Sequence, residues 1–454
     1  MWATLLFVPF TSVQVAHLGI TGLAAFQLFG VLFIFRCLID AAWTGTGALK
    51  VSRATGLAAL FLFICIVSIS MAALKAGTVD VLPASGQKRW PRFASYLVPL
   101  ELSISNFTQV LYPTFGVFLF HFLVRELRSF GDLKKAINVL VWGALITAGF
   151  SIASGILYTA GQGNLYLGLL SLFTVGPISG VGAPDAGSFG QFFRSYTPAG
   201  EPGFTAITLL VGSGLLVGGT VWKTGGRSPV VRRSLLKLTI LAFALLLNGS
   251  TTGYFGVALL IGWVVLAPGY IGTKRVRSLR PVLYAVGGVA IVGIVGSVIQ
   301  VSGMSFYRWL TDYHLAKLQG ESVGSGSVRF LVTWYALTEV FLVSPILGVG
   351  YGSHLSLSLF SVLLSNVGLV GFGVFAGFLF VVFRNATRAA RRAPGALQVI
   401  AFMALLIFVP LFGTLFVAKA TSAINYGLTW TVIALTESSY QVYRRSQTHS
   451  TAQV

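Results

Sequence analysis

Two arginines, one glutamate and one histidine stand out because almost everything around them is apolar. Arg194 and Glu201 share one short stretch, FRSYTPAGEPGFTA, in which the carboxylate directly precedes Pro202 and Gly203. Arg329 opens a second stretch, 329–343, in which Trp334, Leu337 and Val340-Phe341 follow at helical period. His354 closes a run of alternating glycines, Gly348-Val349-Gly350-Tyr351-Gly352-Ser353-His354. A guanidinium grips phosphate oxygens in a planar fork and steadies negative charge as it develops. A carboxylate or an imidazole takes the proton of an attacking hydroxyl. Glycines permit a tight turn and leave backbone N–H groups free for an anion. These types make Glu201 and His354 candidate bases and Arg194 and Arg329 candidate anion holders. Gly350, Gly352 and Ser353 form a candidate substrate loop. Each residue also has a plain structural role. Pro202 suits a first helical turn, where its missing N–H is not needed, and Glu201 suits the cap, where the helix dipole favours a carboxylate. Arg194 could pair with Glu201, and a lone histidine at an interface is commonly structural.

The elements that must position these groups are membrane spans. Of 454 residues, 55% are hydrophobic and 9% charged, and the mean hydropathy is +0.85. A soluble domain carries about 25% charged residues. Crossing the hydrocarbon takes about 20 apolar residues. Such stretches lie near 20–39, 54–74, 103–124, 137–158, 203–222, 281–301, 358–383, 396–416 and 420–437. The run 234–269 is too long for one helix and is broken at Asn248-Gly249-Ser250, which predicts a tight hairpin of two spans. The stretch 2–14 lacks a basic leader and a small-residue cleavage site and reads as a short first span. The expectation is an all-α integral membrane protein, one domain over 1–454, with about 12 transmembrane helices.

Basic residues set the orientation. Alternate loops collect 22 of the 31 lysines and arginines, from Arg36 through Arg445, which marks that side as cytoplasmic. Both termini and the 439–454 tail then face the cytoplasm, and the net charge of +20 reports topology rather than nucleic-acid binding. The opposite face receives three longer loops, about 75–102, 159–202 and 302–357, the last carrying a short interfacial helix near 329–343. The candidate residues all fall in the last two of these loops, so the chemistry is expected outside. In the first, Gln87-Lys88-Arg89-Trp90-Pro91-Arg92 fits either an interfacial belt or recruitment of an anionic substrate. The sequence has no nucleotide cradle on the inner side and no Cys or His ligand spacing, so neither cofactor nor metal is expected. Cys37 and Cys65 both fall in apolar spans.

Together these segments resemble the O-antigen polymerase and ligase superfamily of bacterial surface-polysaccharide enzymes. The resemblance is carried by Arg194 with Glu201-Pro202-Gly203, then Ser250-Thr251-Thr252-Gly253-Tyr254. It continues in Ser325-Gly326-Ser327-Val328-Arg329 with Trp334, in Pro345-Ile346-Leu347-Gly348-Val349-Gly350, and in Leu364-Ser365-Asn366-Val367-Gly368-Leu369-Val370-Gly371. It implies that Arg194 and Arg329 hold the pyrophosphate of an undecaprenyl-linked glycan at the outer face of the bacterial inner membrane. Membrane lipid, a flippase and a chain-length regulator are the implied partners. Two departures favour a polymerase of exopolysaccharide or O-antigen repeats over a ligase. Ligases often carry an arginine where Thr251 stands, and they tend to have a His–Asn pair leading into the last Gly-x-x-Gly helix, where this chain reads Leu364-Ser365-Asn366. The expected reaction is metal-independent inverting glycosyl transfer. The competing classes are a transporter or flippase, which would place ionisable groups at the bilayer midplane, and a structural partner in a secretion complex.

Overall fold

A computed structural model of the chain describes residues 1–10, 13–18, 21–44, 51–83, 97–172, 197–199, 202–222, 229–248, 250–272, 300–301, 304–305, 325–418 and 424–451. The helices in chain order are α1 (Trp2–Phe7), α2 (Ala25–Thr44), α3 (Arg53–Leu74), α4 (Ile104–Glu126), α5 (Phe130–Thr159), α6 (Gly163–Ser171), α7 (Pro202–Trp222), α8 (Pro229–Leu247) and α9 (Thr251–Ile271). They continue with α10 (Ser325–Tyr335), which runs through a π-helical turn (Ala336–Val340) into a last α-turn (Phe341–Val343). α11 (Leu359–Arg392), α12 (Gly395–Ala418) and α13 (Gly427–Thr451) complete the set. The strands form three antiparallel pairs, β1 (Gln14–Leu18) with β2 (Thr21–Ala24), β3 (Asp80–Val81) with β4 (Val98–Pro99), and β5 (Gln300–Val301) with β6 (Met304–Ser305).

Among the described residues, eight helices are long and apolar enough to cross a membrane: α2, α3, α4, α5, α7, α9, α11 and α12. The protein is a multi-pass, all-α membrane protein. Local chemistry sets several helix starts. Ser52 Oγ accepts the N–H of Thr55 at 3.0 Å ahead of α3, and Ser358 Oγ accepts the N–H of Ser361 at 3.1 Å ahead of α11. α7 begins at Pro202, and α8 and α9 stop and start on either side of residues 248–250. α7 and α12 form the centre. Most of the apolar window of α7 is buried (83%), against 28% for α2, which turns its side chains outward. Gly218 lets α7 approach α12 closely, since a Cβ there would stand 2.8 Å from Met403 Cγ.

Two spans differ from expectation. The 2–14 stretch folds as the six-residue α1 and then enters the β1–β2 pair. Six residues rise about 9 Å, well short of the roughly 30 Å hydrocarbon core. The last helix begins at Gly427 and runs unbroken to Thr451, because neither proline nor glycine interrupts the polar sequence after 437. Most of the expected 281–301 span lies outside the described residues. Cations of the basic segments sit over aromatic rings, Lys237 over Trp142 at 5.0 Å and Arg391 over Tyr270 at 5.1 Å. Amphipathic rings beside cations belong at headgroup level.

Candidate functional site

The glycine run 348–354 is a compact buried turn wedged among α3, α4 and α11. Gly348, Gly350 and Gly352 all have left-handed backbones, with φ of 71°, 111° and 79°. α11 breaks its own helix to receive the turn: Gly368 has φ 64° and ψ −168°. A Cβ on Gly348 would collide with the backbone of Asn366 and Val367, and one on Gly368 with the carbonyl of Ile346. The two segments exchange backbone hydrogen bonds instead. Val349 N–H donates to Ser365 O at 2.8 Å and Gly350 N–H to Asn366 O at 3.1 Å. In return Leu369 N–H donates to Pro345 O at 2.8 Å and Val370 N–H to Ile346 O at 3.1 Å. Residues 345–350 and 364–371, read as separate motifs, are thus one unit, and only glycine fits at its crossing points.

Most backbone N–H groups of the glycine turn are already in use. The N–H groups of Gly348, Val349, Gly350, Tyr351, Ser353 and His354 are all donated inside the protein. Gly348 bonds Ser344 O at 2.8 Å, Tyr351 bonds Ser68 Oγ at 3.1 Å, Ser353 bonds Gly350 O at 3.1 Å and His354 bonds Asn366 Oδ1 at 3.0 Å. A buried N–H must find a partner, and here packing supplies one from each neighbouring helix. The N–H groups of Gly350 and Ser353 are thus held by bonds inside the protein. From α4, Asn106 Nδ2 donates to Tyr351 O at 2.9 Å and to Ser353 Oγ at 2.7 Å.

His354 is 2% exposed. Its Nδ1 accepts the N–H of Leu82 at 3.2 Å, next to the β3–β4 pair, and Leu355 N–H returns to Leu82 O at 2.7 Å. Burial pushes the imidazole pKa down from 6.5 to about 3, so the ring is neutral. An Nδ1 that accepts leaves the proton on Nε2, a tautomer assigned from the bonding. Nε2 is itself buried and has no partner among the described residues. In this state the imidazole carries a donor on Nε2, and its acceptor, Nδ1, is already used by Leu82 N–H. Tyr335, whose ring centroid is 6.1 Å away, donates its phenol to Asp80 O at 2.8 Å. The π-turn that follows carries Glu339 in the open. Such turns concentrate at functional sites.

Arg194 and Glu201 lie outside the described residues, as does the tract 87–92. Arg329 falls in α10, with its side chain outside the described residues. The residues flanking Glu201 are placed. Thr197 Oγ1 and Thr205 Oγ1 are 2.8 Å apart, fastening the approach onto the first turn of α7. Asn248 Nδ2 donates to Pro202 O at 2.7 Å, so the break between α8 and α9 braces the start of α7. A polar chain links this region to the glycine turn. Thr208 Oγ1 is 2.7 Å from the phenol of Tyr426, Asn425 Nδ2 donates to Gln109 Oε1 at 3.3 Å, and Gln109 lies against Gly352.

Ser68, Asn106 and Gln109 are the supporting residues that sequence reasoning left unassigned. Their signal was available: each is a polar side chain inside or at the mouth of an apolar span, where such groups need a reason. No three His, Cys, Asp or Glu side chains converge as a metal site among the described residues. No family model matches the chain, and a search of curated proteins finds no match either.

Proposed function

We propose that this chain is a glycosyltransferase that polymerises undecaprenyl-diphosphate-linked oligosaccharide repeat units, of exopolysaccharide or O-antigen type, at the outer face of a bacterial inner membrane. The observation that carries the reading is the union of residues 345–350 with 364–371. Two stretches that resemble polymerase and ligase motifs are locked together by backbone pairing, and the same turn presents the neutral His354. In this reading Arg194 and Arg329 stabilise the negative charge that builds on the pyrophosphate as the anomeric C–O bond breaks. The acceptor hydroxyl attacks the anomeric carbon, its proton passes to Glu201, and the polyprenyl diphosphate leaves. His354 Nε2–H supplies a hydrogen bond within the site.

Purified protein given the lipid-linked repeat alone should make a ladder of products on a chain-length gel. Arg194→Ala and Arg329→Ala should each abolish the ladder while the protein still inserts. Lysine should rescue poorly, because it lacks the planar fork. Normal polymer from both alanine variants would end the proposal. A reporter in 310–325 should lie outside, and one after Arg233 or Arg392 in the cytoplasm.

One observation favours a second reading. The His–Asn pair typical of ligases is missing from the sequence order, yet the Asn366 amide holds the backbone N–H and C=O of His354. A ligase would give no ladder from the lipid-linked repeat alone. It would yield one product only when a separate lipid acceptor is added.

A further inference from the structure

α4 and α13 run side by side in the same direction. Asn425 meets Gln109 near their starts, and Gly116 lies against Trp430 further along. The first turn of α4 holds the glycine turn through Asn106, and the helix ends one membrane thickness away. Three arginines gather at that far end. Arg125 lies in the last turn of α4, Arg128 in the bend that leads into α5, and Arg445 in the polar extension of α13. Arg128 Nε donates to Arg125 O at 2.8 Å, which folds the bend back over the helix end.

The described carboxylates nearby do not neutralise them. One oxygen serves both arginines of α4: Glu126 Oε1 accepts from Arg128 Nη2 at 3.3 Å and lies 3.9 Å from Arg125 Nε. Asp132 Oδ2 is occupied by the N–H and the hydroxyl of Ser129, at 3.1 and 2.7 Å, in the cap of α5. Arg125 Nη1 is buried and has no partner among the described residues. Arg445 is exposed, and partial burial together with the like charge of Arg128 pushes its pKa below the ordinary value. An unpaired guanidinium N–H is costly and like charges repel, so this corner is complementary to an anion. It also lies at headgroup level, where Lys135 stands over the Trp2 ring at 6.0 Å.

We propose that Arg125, Arg128 and Arg445 bind the phosphate head of an acidic phospholipid, whose tails lie in the layer that α4 and α5 cross. Phosphate oxygens fit the planar fork of a guanidinium, and one phosphate between Arg128 and Arg445 turns their repulsion into two attractions. Positive charge alone does not single out this corner. Arg391, on α11, is equally exposed, but its guanidinium already donates to Tyr270 O and covers the Tyr270 ring. The lipid ties the end of α13 to the bend between α4 and α5, whatever reaction the opposite end performs.

The test takes the full-length protein in mild detergent, titrates it with phosphatidylglycerol or phosphatidylcholine, and counts bound lipid by native mass spectrometry. Phosphatidylglycerol should be retained in preference to phosphatidylcholine, and an excess of inorganic phosphate should not displace it. Arg128→Gln and Arg445→Gln should each weaken retention about fivefold, the worth of one cation at a membrane surface. Arg391→Gln should leave it unchanged. Glu126→Gln removes the carboxylate that competes for both arginines of α4, and should tighten retention by about the same factor. A gain of that kind cannot come from misfolding. Equal retention of the two lipids, displacement by inorganic phosphate, retention that survives the Arg128→Gln, Arg445→Gln double variant, an equal loss in Arg391→Gln, or no gain in Glu126→Gln would each overturn the inference.

Discussion

His354 and Asn366 bind each other twice. The backbone N–H of His354 donates to Asn366 Oδ1 at 3.0 Å, and Asn366 Nδ2 returns a bond to His354 O at 2.8 Å. One side chain therefore satisfies both backbone groups of the residue whose imidazole enters the candidate site. Asn366 is buried and also donates to Val362 O at 2.9 Å, within its own helix. The kinked helix α11 and the imidazole are consequently placed by the same amide.

Asn366→Ala should loosen this unit more than its size suggests. It leaves a buried N–H and a buried C=O unpaired, at about 1–3 kcal/mol each. Asn366→Asp keeps the acceptor for His354 N–H but loses the donor, and should lie between wild type and alanine. Thermal unfolding in detergent, followed by tryptophan fluorescence, orders the three proteins. An alanine variant as stable as wild type would mean that the mutual bonds contribute nothing.

Gly368 and Gly373 offer a comparison within one helix. Gly368 has a left-handed backbone and no room for a Cβ beside the Ile346 carbonyl. Forcing a side chain into that conformation costs about 1–2 kcal/mol before any collision is counted. Gly373 has open space around it, so Gly373→Ala should be neutral or stabilise by about 0.5–1 kcal/mol. Gly368→Ala should lower both folded yield and activity, and Gly348→Ala should mimic it from the facing side. Equal stability of the 368 and 373 variants would show that the crossing tolerates a side chain.

Much of this architecture is written locally. Ser52, Ser103 and Ser358 precede helices where the apolar stretches begin, Pro202 opens α7, and residues 248–250 divide one long run into two. Hydropathy and capping operate within a few residues, so one sequence suffices to read them. The clamps on the glycine turn operate otherwise. Asn106 and Ser353 are 247 residues apart, and Ser68 and Tyr351 are 283 apart. No local pattern announces which distant hydroxyl or amide meets a free N–H, and for that reason the turn read as an open anion nest. The stretch 2–14 misled for a related reason: apolar character alone does not fix length, and the chain turns into a strand pair after Phe7 and Phe10 have already found the core.

The buried imidazole should make the protein acid-sensitive in a defined window. The folded-state pKa of His354 is depressed to about 3 from 6.5. As pH falls below 6.5 the unfolded chain takes up a proton that the folded chain refuses until about 3. Stability is then full above 6.5 and declines through the window beneath it. His354→Gln can still accept from Leu82 N–H but cannot titrate. Its melting temperature should fall less than that of wild type as the pH is lowered. Parallel melting curves for the two proteins would argue that His354 is charged or solvated in the folded state.

The state of His354 sharpens the expectation for Glu201. With Nδ1 occupied by Leu82 N–H and the proton on Nε2, the imidazole cannot accept a proton without first giving up a bond. The remaining candidate base is the carboxylate that precedes α7. A helix cap is worth about 0.5–2 kcal/mol, and its loss lowers the amount of folded protein more than the activity of each molecule. A base behaves in the opposite way, contributing about 10²–10⁴ in rate. Glu201→Gln retains the shape and a hydrogen-bond acceptor but not the proton acceptor. Specific activity should fall at least about tenfold with little loss of folded protein. His354→Ala should be milder in rate and harsher in stability. Activity measured on purified protein with the lipid-linked repeat, normalised to folded enzyme, separates these roles. Full specific activity in Glu201→Gln together with loss in His354→Ala would return the base to the histidine and require the Leu82 bond to open during turnover.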